Sequence, residues 1–216
     1  MTTRIVLADD HRMFRDGLRL LLEARPECAV VGEAEDGPTA LELCISLRPD
    51  LVILDLSLPG LHGLEVARRL AREAPGTRVI VLTMHSDRRF VIEALRAGIA
   101  AYVLKESGFS ELAHVLTEVR AGRIYLSPAL NEQVLREYTQ MADPNAGTAF
   151  SILTGREREV LQQVAEGRAT KEIAAALGLS IKTVEAHRKQ IMEKLDLHSV
   201  AELTKYALRE GLTRLE

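Results

Sequence analysis

Four short apolar runs in the first 105 residues each end in a polar side chain. The runs cover residues 4–8, 51–54, 79–82 and 101–104, and the polar residues after them are Asp9 and Asp10, Asp55, Thr83 and Lys105. Short runs rich in β-branched residues are typical of strands that are buried on both faces of a parallel sheet. In such a sheet the carboxyl ends of the strands form the crevice where ligands bind. The pattern therefore predicts that three carboxylates, one hydroxyl and one ammonium group meet at one edge.

A helical pattern follows each predicted strand. Apolar residues recur at helical spacing over about 12–24, and a second strand at 29–34 precedes a helix that includes Ala40, Leu43, Cys44 and Leu47. Further helices are predicted near 63–74, 87–97 and 109–121. Five β-α units in about 120 residues predict an α/β fold, a doubly wound five-stranded parallel sheet with right-handed crossovers.

The rest of the chain has a different pattern. Ser127 and Pro128 have the residue types that begin a helix, which we expect to reach about Gln140. Residues 143–148 have the composition of a linker. We therefore expect an α/β domain at 1–121, a linker at 122–150 and a small all-α domain at 151–216.

Four helices are predicted in the last 66 residues. Thr154 and Glu157 form a capping box before the first helix, and Thr170 is predicted to cap a short helix at 171–177 that ends at Gly178. Ser180 is predicted to cap a third helix at 181–195, and a fourth covers about 199–209. A short helix, a turn with glycine and a second helix form the helix-turn-helix arrangement.

Composition and charge exclude few functions. The chain has 47% apolar and 27% charged residues, which is ordinary for a globular protein. Its net charge of −3 divides into −4 for residues 1–150 and +1 for residues 151–216, an asymmetry too mild to indicate nucleic acid by itself.

The cysteines and the N-terminus bear on location. Cys28 and Cys44 have no C-x-x-C or zinc spacing, which favours a reduced cytosolic setting. The charged segment at residues 9–12 comes before a signal-like apolar core could form, and no run approaches 18 apolar residues. We therefore expect a cytoplasmic protein without a membrane partner.

The strand-end residues suit a divalent cation and a phosphoryl group. Carboxylates of Asp9, Asp10 and Asp55 are the oxygen ligands that Mg²⁺ prefers, and a bound cation keeps a nucleophilic carboxylate ionised. Such a carboxylate can attack phosphorus to give an aspartyl phosphate. Lys105 would then neutralise phosphate charge, and Thr83 would donate a hydrogen bond to it. A single aspartate at a strand end is usually a turn residue or a helix cap, which is how we interpret Asp36 and Asp50.

The motifs around these residues resemble those of a two-component receiver domain. The similarity covers about residues 3–121 and lies in LADDH at 7–11, LDLSLPGLHG at 54–63, LTMH at 82–85, and AG at 97–98 with YVLK at 102–105. It implies the strand order 2-1-3-4-5.

The resemblance also implies a role for each site residue. Asp55 would be the phosphoacceptor, and Asp10 and Asp55 would be carboxylate ligands of Mg²⁺. Ser57 would add its backbone oxygen to that metal site, and Asp9 would assist, partly through water. Thr83 and Tyr102 would be the switch pair, and Lys105 would be the partner of the phosphate.

Two positions depart from the common receiver pattern. Met84 stands where many receivers have a small residue after the switch threonine, and Glu106 stands where many have a proline after the lysine. Met84 would narrow access to the phosphate. Ser57 and His85 would flank the phosphate and tune its lifetime.

The last 66 residues are similar to the LuxR-type helix-turn-helix. The similarity spans about 151–213 and includes LTGREREVL at 153–161, KEIA at 171–174 and LSIKTVEAH at 179–187. Residues 180–195 carry a charge of +2, which places basic charge on the helix that would enter the major groove. Val184, Ile191 and Leu195 share a face and should pack inward, which leaves Lys182 and others outward.

The LuxR-type resemblance assigns positions for DNA contact and for dimerisation. Glu185, Ala186 and Lys189 match base-facing positions, where Lys189 could donate to guanine, Glu185 could accept from cytosine and the Ala186 methyl could contact a thymine methyl. The residues expected at phosphates are Lys171, Thr183, His187 and Arg188. The expected dimer surface on the fourth helix consists of Val200, Leu203, Tyr206 and Ala207.

The two resemblances together predict a response regulator of the NarL/FixJ class. A sensor histidine kinase would phosphorylate Asp55, and a homodimer would bind promoter DNA. Three alternatives stay open at this point: a magnesium-dependent aspartyl phosphatase, a ligand-sensing quorum regulator and a DNA-binding protein that does not need phosphorylation. The phosphatase would usually need an acidic residue where this chain has Ser57, and the lack of tryptophan fits a quorum regulator poorly.

Overall fold

A parallel sheet with the strand order β2-β1-β3-β4-β5-β6 is the centre of the first of two compact units. The structure is a computed structural model that describes residues 2–130 and 152–213. Its strands are β1 (Thr3–Ala8), β2 (Cys28–Ala34), β3 (Leu51–Leu54), β4 (Arg78–Thr83), β5 (Ala101–Leu104) and β6 (Tyr125–Leu126). All neighbours in this sheet pair in parallel, which confirms the predicted doubly wound α/β fold.

Within residues 2–130, five α-helices follow the strands β1 to β5, one after each strand. They are α1 (Arg12–Glu23), α2 (Gly37–Leu47), α3 (Gly63–Glu73), α4 (Arg88–Arg96) and α5 (Gly108–Arg120). Every residue of β3 and β5 is buried, as expected for apolar strands without alternation in an α/β fold. Asp36 accepts a hydrogen bond from the Thr39 N–H at 2.7 Å and caps α2, so its interpretation as a cap is confirmed.

The prediction of five strands was wrong by one, because β6 adds a sixth. It pairs Tyr125 with Ala101 and Leu126 with Tyr102, next to β5. Only two residues form this strand, so no alternation of apolar and polar positions could reveal it. Residues 122–126, which we expected to begin the linker, therefore include part of the sheet.

The strand registers bring the predicted residues to one edge. Ala8 pairs with Leu54, so Asp9 and Asp55 follow directly at neighbouring carboxyl ends. Thr83 pairs with Leu104, and Lys105 comes next in the chain. We call Asp9, Asp10, Asp55, Thr83 and Lys105 the strand-end site.

Gly63 is required by close packing beneath this edge. It begins α3, and its N–H donates to the Leu56 carbonyl oxygen at 2.8 Å. A Cβ at this position would lie 2.2 Å from the Asp55 carbonyl oxygen and 2.8 Å from the Leu56 Cα. Both neighbours are backbone atoms, so a side chain at position 63 would have to displace the loop after Asp55.

Within residues 152–213, four complete helices belong to the second unit, which we call the helical unit. They are α6 (Gly155–Ala165), α7 (Thr170–Leu177), α8 (Ile181–Leu195) and α9 (Val200–Arg209). Thr154 and Glu157 form the predicted capping box, and Ser180 caps α8 by accepting from the Thr183 N–H at 3.0 Å. Gly178 ends α7 in the left-handed region, which glycine adopts without a Cβ penalty.

The predicted cap of α7 was wrong by one residue. Ala169 occupies the cap position, and its N–H donates to the Glu172 carboxylate at 2.8 Å. Thr170 is the first helical residue, and its hydroxyl accepts from Arg188 on α8 at 3.2 Å. Thr170 therefore links the two helices of the helix-turn-helix, and the Glu172 carboxylate caps the N-terminus of α7.

The linker helix predicted at about 127–140 lies mostly outside the described residues. Residues 128–130 are helical, and residues 131–151 are not described. The remainder of that helix, and the linker limits at 122 and 150, stay predictions.

We expect Gly63→Ala to destabilise the α/β unit by about 1–3 kcal/mol, because overpacking a close backbone contact forces displacement. Differential scanning calorimetry of the full chain measures the effect on the transition of this unit. Gly17→Ala is the matched control: Gly17 lies inside α1 with no atom within 4 Å of an added Cβ. The control should stabilise by about 0.5–1 kcal/mol. Equal effects of the two changes would contradict the packing role of Gly63.

Candidate functional site

Lys105 lies between two buried carboxylates at the strand ends. Its Nζ is 2.8 Å from Asp55 Oδ2 and 2.7 Å from Asp9 Oδ2. The side chains of Asp55 and Asp9 are 3% and 5% exposed, so this ion pair is largely shielded from water. One ammonium group faces two carboxylates. Asp9, Asp55 and Lys105 together therefore carry a net negative charge at the edge of the sheet where a cation or a phosphoryl group would arrive.

The acidic residues of the site lie close enough together to serve as ligands of one metal ion. One ligand atom from each of Asp9, Asp10, His11 and Asp55 lies within 4.8 Å of the others. The His11 Nδ1 is 3.2 Å from both Asp9 Oδ1 and Asp10 Oδ1, and the His11 N–H donates to Asp9 Oδ1 at 2.9 Å. Three carboxylates supply the oxygen ligands that a hard cation prefers, so the residues fit a divalent ion such as Mg²⁺.

Three side chains that hold this site were not identified as site residues from the sequence. The buried Arg15 donates from Nη1 to the Asp9 carbonyl oxygen and from Nε to Glu33 at 3.2 Å. The Phe14 ring centroid lies 4.9 Å from Lys105 Nζ, within reach of a cation–π contact. His11 was visible only as the residue after Asp10. Helical spacing marks Phe14 as apolar, but nothing in the sequence shows that α1 turns these groups toward the strand ends.

His85 connects the predicted switch residues. Its N–H is 3.3 Å from the Thr83 Oγ1, and its carbonyl oxygen accepts from the Tyr102 hydroxyl at 2.8 Å. Its ring Nε2 is hydrogen-bonded to Ser57 Oγ at 2.8 Å, and the Ser57 N–H is 3.4 Å from Asp55 Oδ1. Thr83 and Tyr102 are both fully buried, and each contacts the backbone of one residue. The predicted pair therefore meets through His85.

Burial determines the ionisation of two groups in this network. Burial, and then the nearby Asp55 and Asp87, raise the pKa of Tyr102, so its hydroxyl keeps the proton that it donates to His85. Burial lowers the pKa of His85 below its ordinary value, although the charges of Asp55 and Asp87 act in the opposite direction.

Met84 is 68% exposed and therefore projects into solvent in this structure.

The helical unit presents most predicted DNA-contact residues on its surface. Val184 and Ile191 are fully buried, as expected for the inward face of α8, and Leu195 is half-buried. Lys171, Lys182, Glu185, Ala186 and Lys189 are exposed. The exposed face of α8 therefore carries all three residues expected at bases.

The other predicted DNA-contact residues, Thr183, His187 and Arg188, are half-buried. The Thr183 hydroxyl is 2.7 Å from Ser180 Oγ at the start of α8, and Arg188 reaches Thr170 on α7. His187 has a buried Nδ1 with no hydrogen-bond partner among the described residues. Only its other ring nitrogen, Nε2, is then left to bind an outside partner.

Three of the four residues predicted at the dimer surface on α9 are buried within the chain, and their role in a dimer stays a prediction. Leu203, Tyr206 and Ala207 are buried, whereas Val200 is 44% exposed. Helix α9 packs against α6, and Leu203, Tyr206 and Ala207 are spaced three and four residues apart, on one face of α9. Apolar periodicity predicts the buried face of a helix, and in this structure that face is covered within the chain.

Comparison with family models divides the chain in the same way as its motifs do. Residues 5–117 match the response regulator receiver domain, and residues 151–207 match the bacterial regulatory proteins of the luxR family. The chain belongs to the response regulators. It is a DNA-binding regulator of transcription that depends on phosphorylation, not a classical enzyme, and its receiver implies a sensor histidine kinase as partner. The receiver match decides against the aspartyl phosphatase and the quorum regulator.

Relatives and solved structures match this response regulator over nearly its whole length. It is 36% identical to the oxygen regulatory protein NreC of Staphylococcus carnosus, over 97% of this chain and 98% of the relative. It is 38% identical to the transcriptional regulatory protein YhcZ of Bacillus subtilis, over 97% of each. A structure of two RcsB dimers bound to two parallel DNAs covers 95% of this chain and 98% of the RcsB chain, with 28% identity and a TM-score of 0.62.

No helix in the described residues is both long enough and apolar enough to cross a bilayer.

The start of the helical unit depends on an ion pair between α6 and α8. Lys194 Nζ donates to Glu157 Oε2 at 2.7 Å, and the Glu157 side chain is 4% exposed. Burial alone would raise the pKa of Glu157, but hydrogen bonds from Lys194 and Thr154 outweigh it and lower the pKa below its ordinary value. A lowered pKa stabilises the folded unit above the ordinary carboxyl pKa, and this contribution is lost as the pH falls.

We expect Lys194→Met to destabilise α6 and α8 by about 1–2 kcal/mol at neutral pH, because a buried carboxylate loses its charged donor while the lysine itself is partly exposed. The difference should shrink as the pH falls and Glu157 takes up a proton. Amide hydrogen exchange in the two helices measures it. Lys189→Met is the control, since the Lys189–Glu193 pair is 3.7 Å apart and exposed. A loss that does not depend on pH would contradict the role of the ion pair.

Proposed function

We propose that Asp55 accepts a phosphoryl group from the phosphohistidine of a sensor kinase. The observation that carries this proposal is the position of Lys105, whose ammonium bridges Asp55 and Asp9 beside a cluster of metal-ligand atoms. A buried carboxylate with an ammonium group beside it can take up phosphate charge without leaving that charge unpaired. Asp55 takes part only in phosphorylation and dephosphorylation of the protein itself.

The residues that would hold Mg²⁺ are Asp9, Asp10 and Asp55, with the backbone oxygen of Ser57 as a further predicted ligand. The metal would supply Lewis-acid stabilisation of the phosphoryl oxygens. The support for this assignment is the cluster of three carboxylates within 4.8 Å, which also includes His11.

The transfer step follows from the contacts of Asp55. An oxygen of its carboxylate forms a bond to phosphorus while the bond from phosphorus to the leaving nitrogen of the kinase histidine breaks. Lys105, which contacts Asp55 Oδ2 at 2.8 Å, moves its ion pair to a phosphoryl oxygen while it keeps Asp9. Thr83 exchanges its contact with the His85 N–H for a hydrogen bond that it donates to the phosphate.

Phosphorylation would act through the Thr83–Tyr102 switch pair. Release of the His85 N–H by Thr83 frees the loop after β4, and Tyr102 holds the other side of the same residue. Allosteric coupling of this kind typically amounts to about 1–3 kcal/mol between two states. The face of α4, β5 and α5 would carry that change to the rest of the protein.

We place α8 in the major groove of promoter DNA. Lys189, Glu185 and Ala186 would contact bases, and Lys182 lies exposed on the same helix. Lys171, Thr183, His187 and Arg188 would contact phosphates. The tautomer that fits the environment of His187 donates Nε2–H to phosphate, because its Nδ1 is buried without a partner among the described residues.

We further propose that the active form is a homodimer in the cytoplasm. The support for a dimer is the similarity to RcsB, whose dimers are bound to DNA in the solved structure. The two cysteines are free and buried, as expected in a reducing compartment.

Asp55→Asn should abolish Mg²⁺-dependent labelling by a small phosphodonor such as acetyl phosphate, because an amide is not a nucleophile toward phosphorus. Mass spectrometry and phosphate-affinity electrophoresis measure the labelling. The matched control is Asp50→Asn, at the opposite end of β3, where Asp50 Oδ2 accepts from the Arg4 N–H at 2.7 Å. Labelling of the Asp55 variant at the level of the control would contradict the assignment.

Lys189→Ala should change base preference, whereas Lys171→Ala should weaken all sites alike and reduce the salt slope by about 1. The physical reason is that base contacts carry sequence information and phosphate contacts release counterions. Selection from a random DNA library, followed by affinity measurements at several salt concentrations, separates the two effects. The proposed division of roles would be wrong if both variants shifted base preference to the same extent.

A further inference from the structure

The His85 side chain contacts two different parts of the α/β unit. Its Nε2 is hydrogen-bonded to Ser57 Oγ at 2.8 Å. Its ring centroid lies 4.9 Å from the ring centroid of Phe90, at an interplanar angle of 34°. Phe90 is 5% exposed and belongs to α4. One imidazole therefore joins the loop after Asp55 to α4.

Ser57 is placed to respond to a phosphoryl group on Asp55. Its N–H is 3.4 Å from Asp55 Oδ1, so the phosphoryl oxygens would arrive next to this loop. A phosphoryl group brings three strong acceptor oxygens, and a serine hydroxyl has a single proton to donate. If that proton turns to phosphate, the bond to His85 persists only with the imidazole as donor. Phosphorylation of Asp55 would therefore change the hydrogen bond that orients the His85 ring.

A rotation of the His85 ring would affect α4 through the contact between His85 and Phe90. Stacked or tilted ring pairs at this separation have preferred orientations. Close-packed interiors respond to a turned side chain by moving its neighbour. Val91 and Ala94 on α4 are fully buried, so a movement of Phe90 is transmitted through a packed helix face.

We propose that His85 is a positioning residue that couples Asp55 to α4. The coupling passes from Asp55 to Ser57, from Ser57 to the His85 ring, and from this ring to Phe90 on α4. The proposal rests on the function proposed above and deepens it. It is separable from the Thr83–Tyr102 switch pair, because Thr83 and Tyr102 bind the His85 backbone and leave its ring to Ser57 and Phe90. Substitutions of the side chain therefore test the ring and keep the backbone contacts.

Two substitutions at position 85 each keep one of the two contacts. His85→Phe keeps an aromatic face against Phe90 and loses the hydrogen bond to Ser57. His85→Gln keeps a polar nitrogen within reach of Ser57 and loses the aromatic face. Ser57→Ala gives a second route to the loss of the hydrogen bond and leaves the Ser57 backbone oxygen in place. Ser86→Ala, at an exposed neighbouring position, is the control.

The experiment activates the full chain with beryllofluoride and Mg²⁺, which avoids differences in phosphate lifetime. Amide signals of Lys105 report that the site is filled, and amide signals of Val91 and Ala94 report the response of α4. In a parallel measurement, the gain in DNA affinity on activation is compared among variants. Thermal unfolding confirms that each variant is folded.

We expect all three variants to fill the site while the α4 shifts are reduced. The activation-dependent gain in DNA affinity should fall by roughly 2- to 30-fold, the usual range for residues along a coupling path. Ser86→Ala should respond like the unaltered chain. A full α4 response in His85→Phe or in His85→Gln would overturn the series connection. Absence of any response in the unaltered chain would instead overturn the proposed function.

Discussion

The ammonium group of Lys105 is the point on which the strand-end site depends. Two buried carboxylates at neighbouring strand ends repel each other, and neither has enough water around it to screen that repulsion. Lys105 makes this arrangement stable while it leaves one negative charge in excess. The site is therefore stable in the resting protein and still attracts a cation. Both properties come from one residue, which the register of β5 places at the right edge.

That register is also what connects chemistry to conformation. Thr83 and Lys105 stand at the ends of the adjacent buried strands β4 and β5. Because these strands are paired, neither residue can move along its strand. Only the loops that follow the strands can therefore move. Of these, the loop after β4 is held by hydrogen bonds from opposite sides of the His85 backbone. A site made of rigid strand ends and one restrained loop has few ways to respond to a new charge, which favours a switch with two states over a graded response.

Sequence reasoning identified the parts of this protein that follow simple periodicity. Buried strands without alternation, polar residues at their ends and the caps of α2, α6 and α8 were predicted, and the bounds of α8 agree with the prediction. It failed where a contact depends on tertiary placement. Arg15 and Phe14 reach the site because α1 lies over the edge, and no spacing in the chain contains that information. The α9 residues show the same limit: periodicity marked an apolar face, but only the packed structure shows what covers it.

The short strand β6 has a consequence for how copies of this protein meet. A parallel strand at the edge of a sheet offers unpaired N–H and C=O groups to any passing chain, and such edges promote aggregation. β6 covers β5 on that side, and the Ser127 N–H continues the pairing to Tyr102 at 3.0 Å before Pro128, which has no N–H to donate. Without β6, the backbone groups of β5, which contains Tyr102, would be unpaired on this side. The two residues of β6 pair with β5 and end the sheet there. This edge of the sheet is in this way shielded from pairing with another chain, whereas β2 forms the opposite edge.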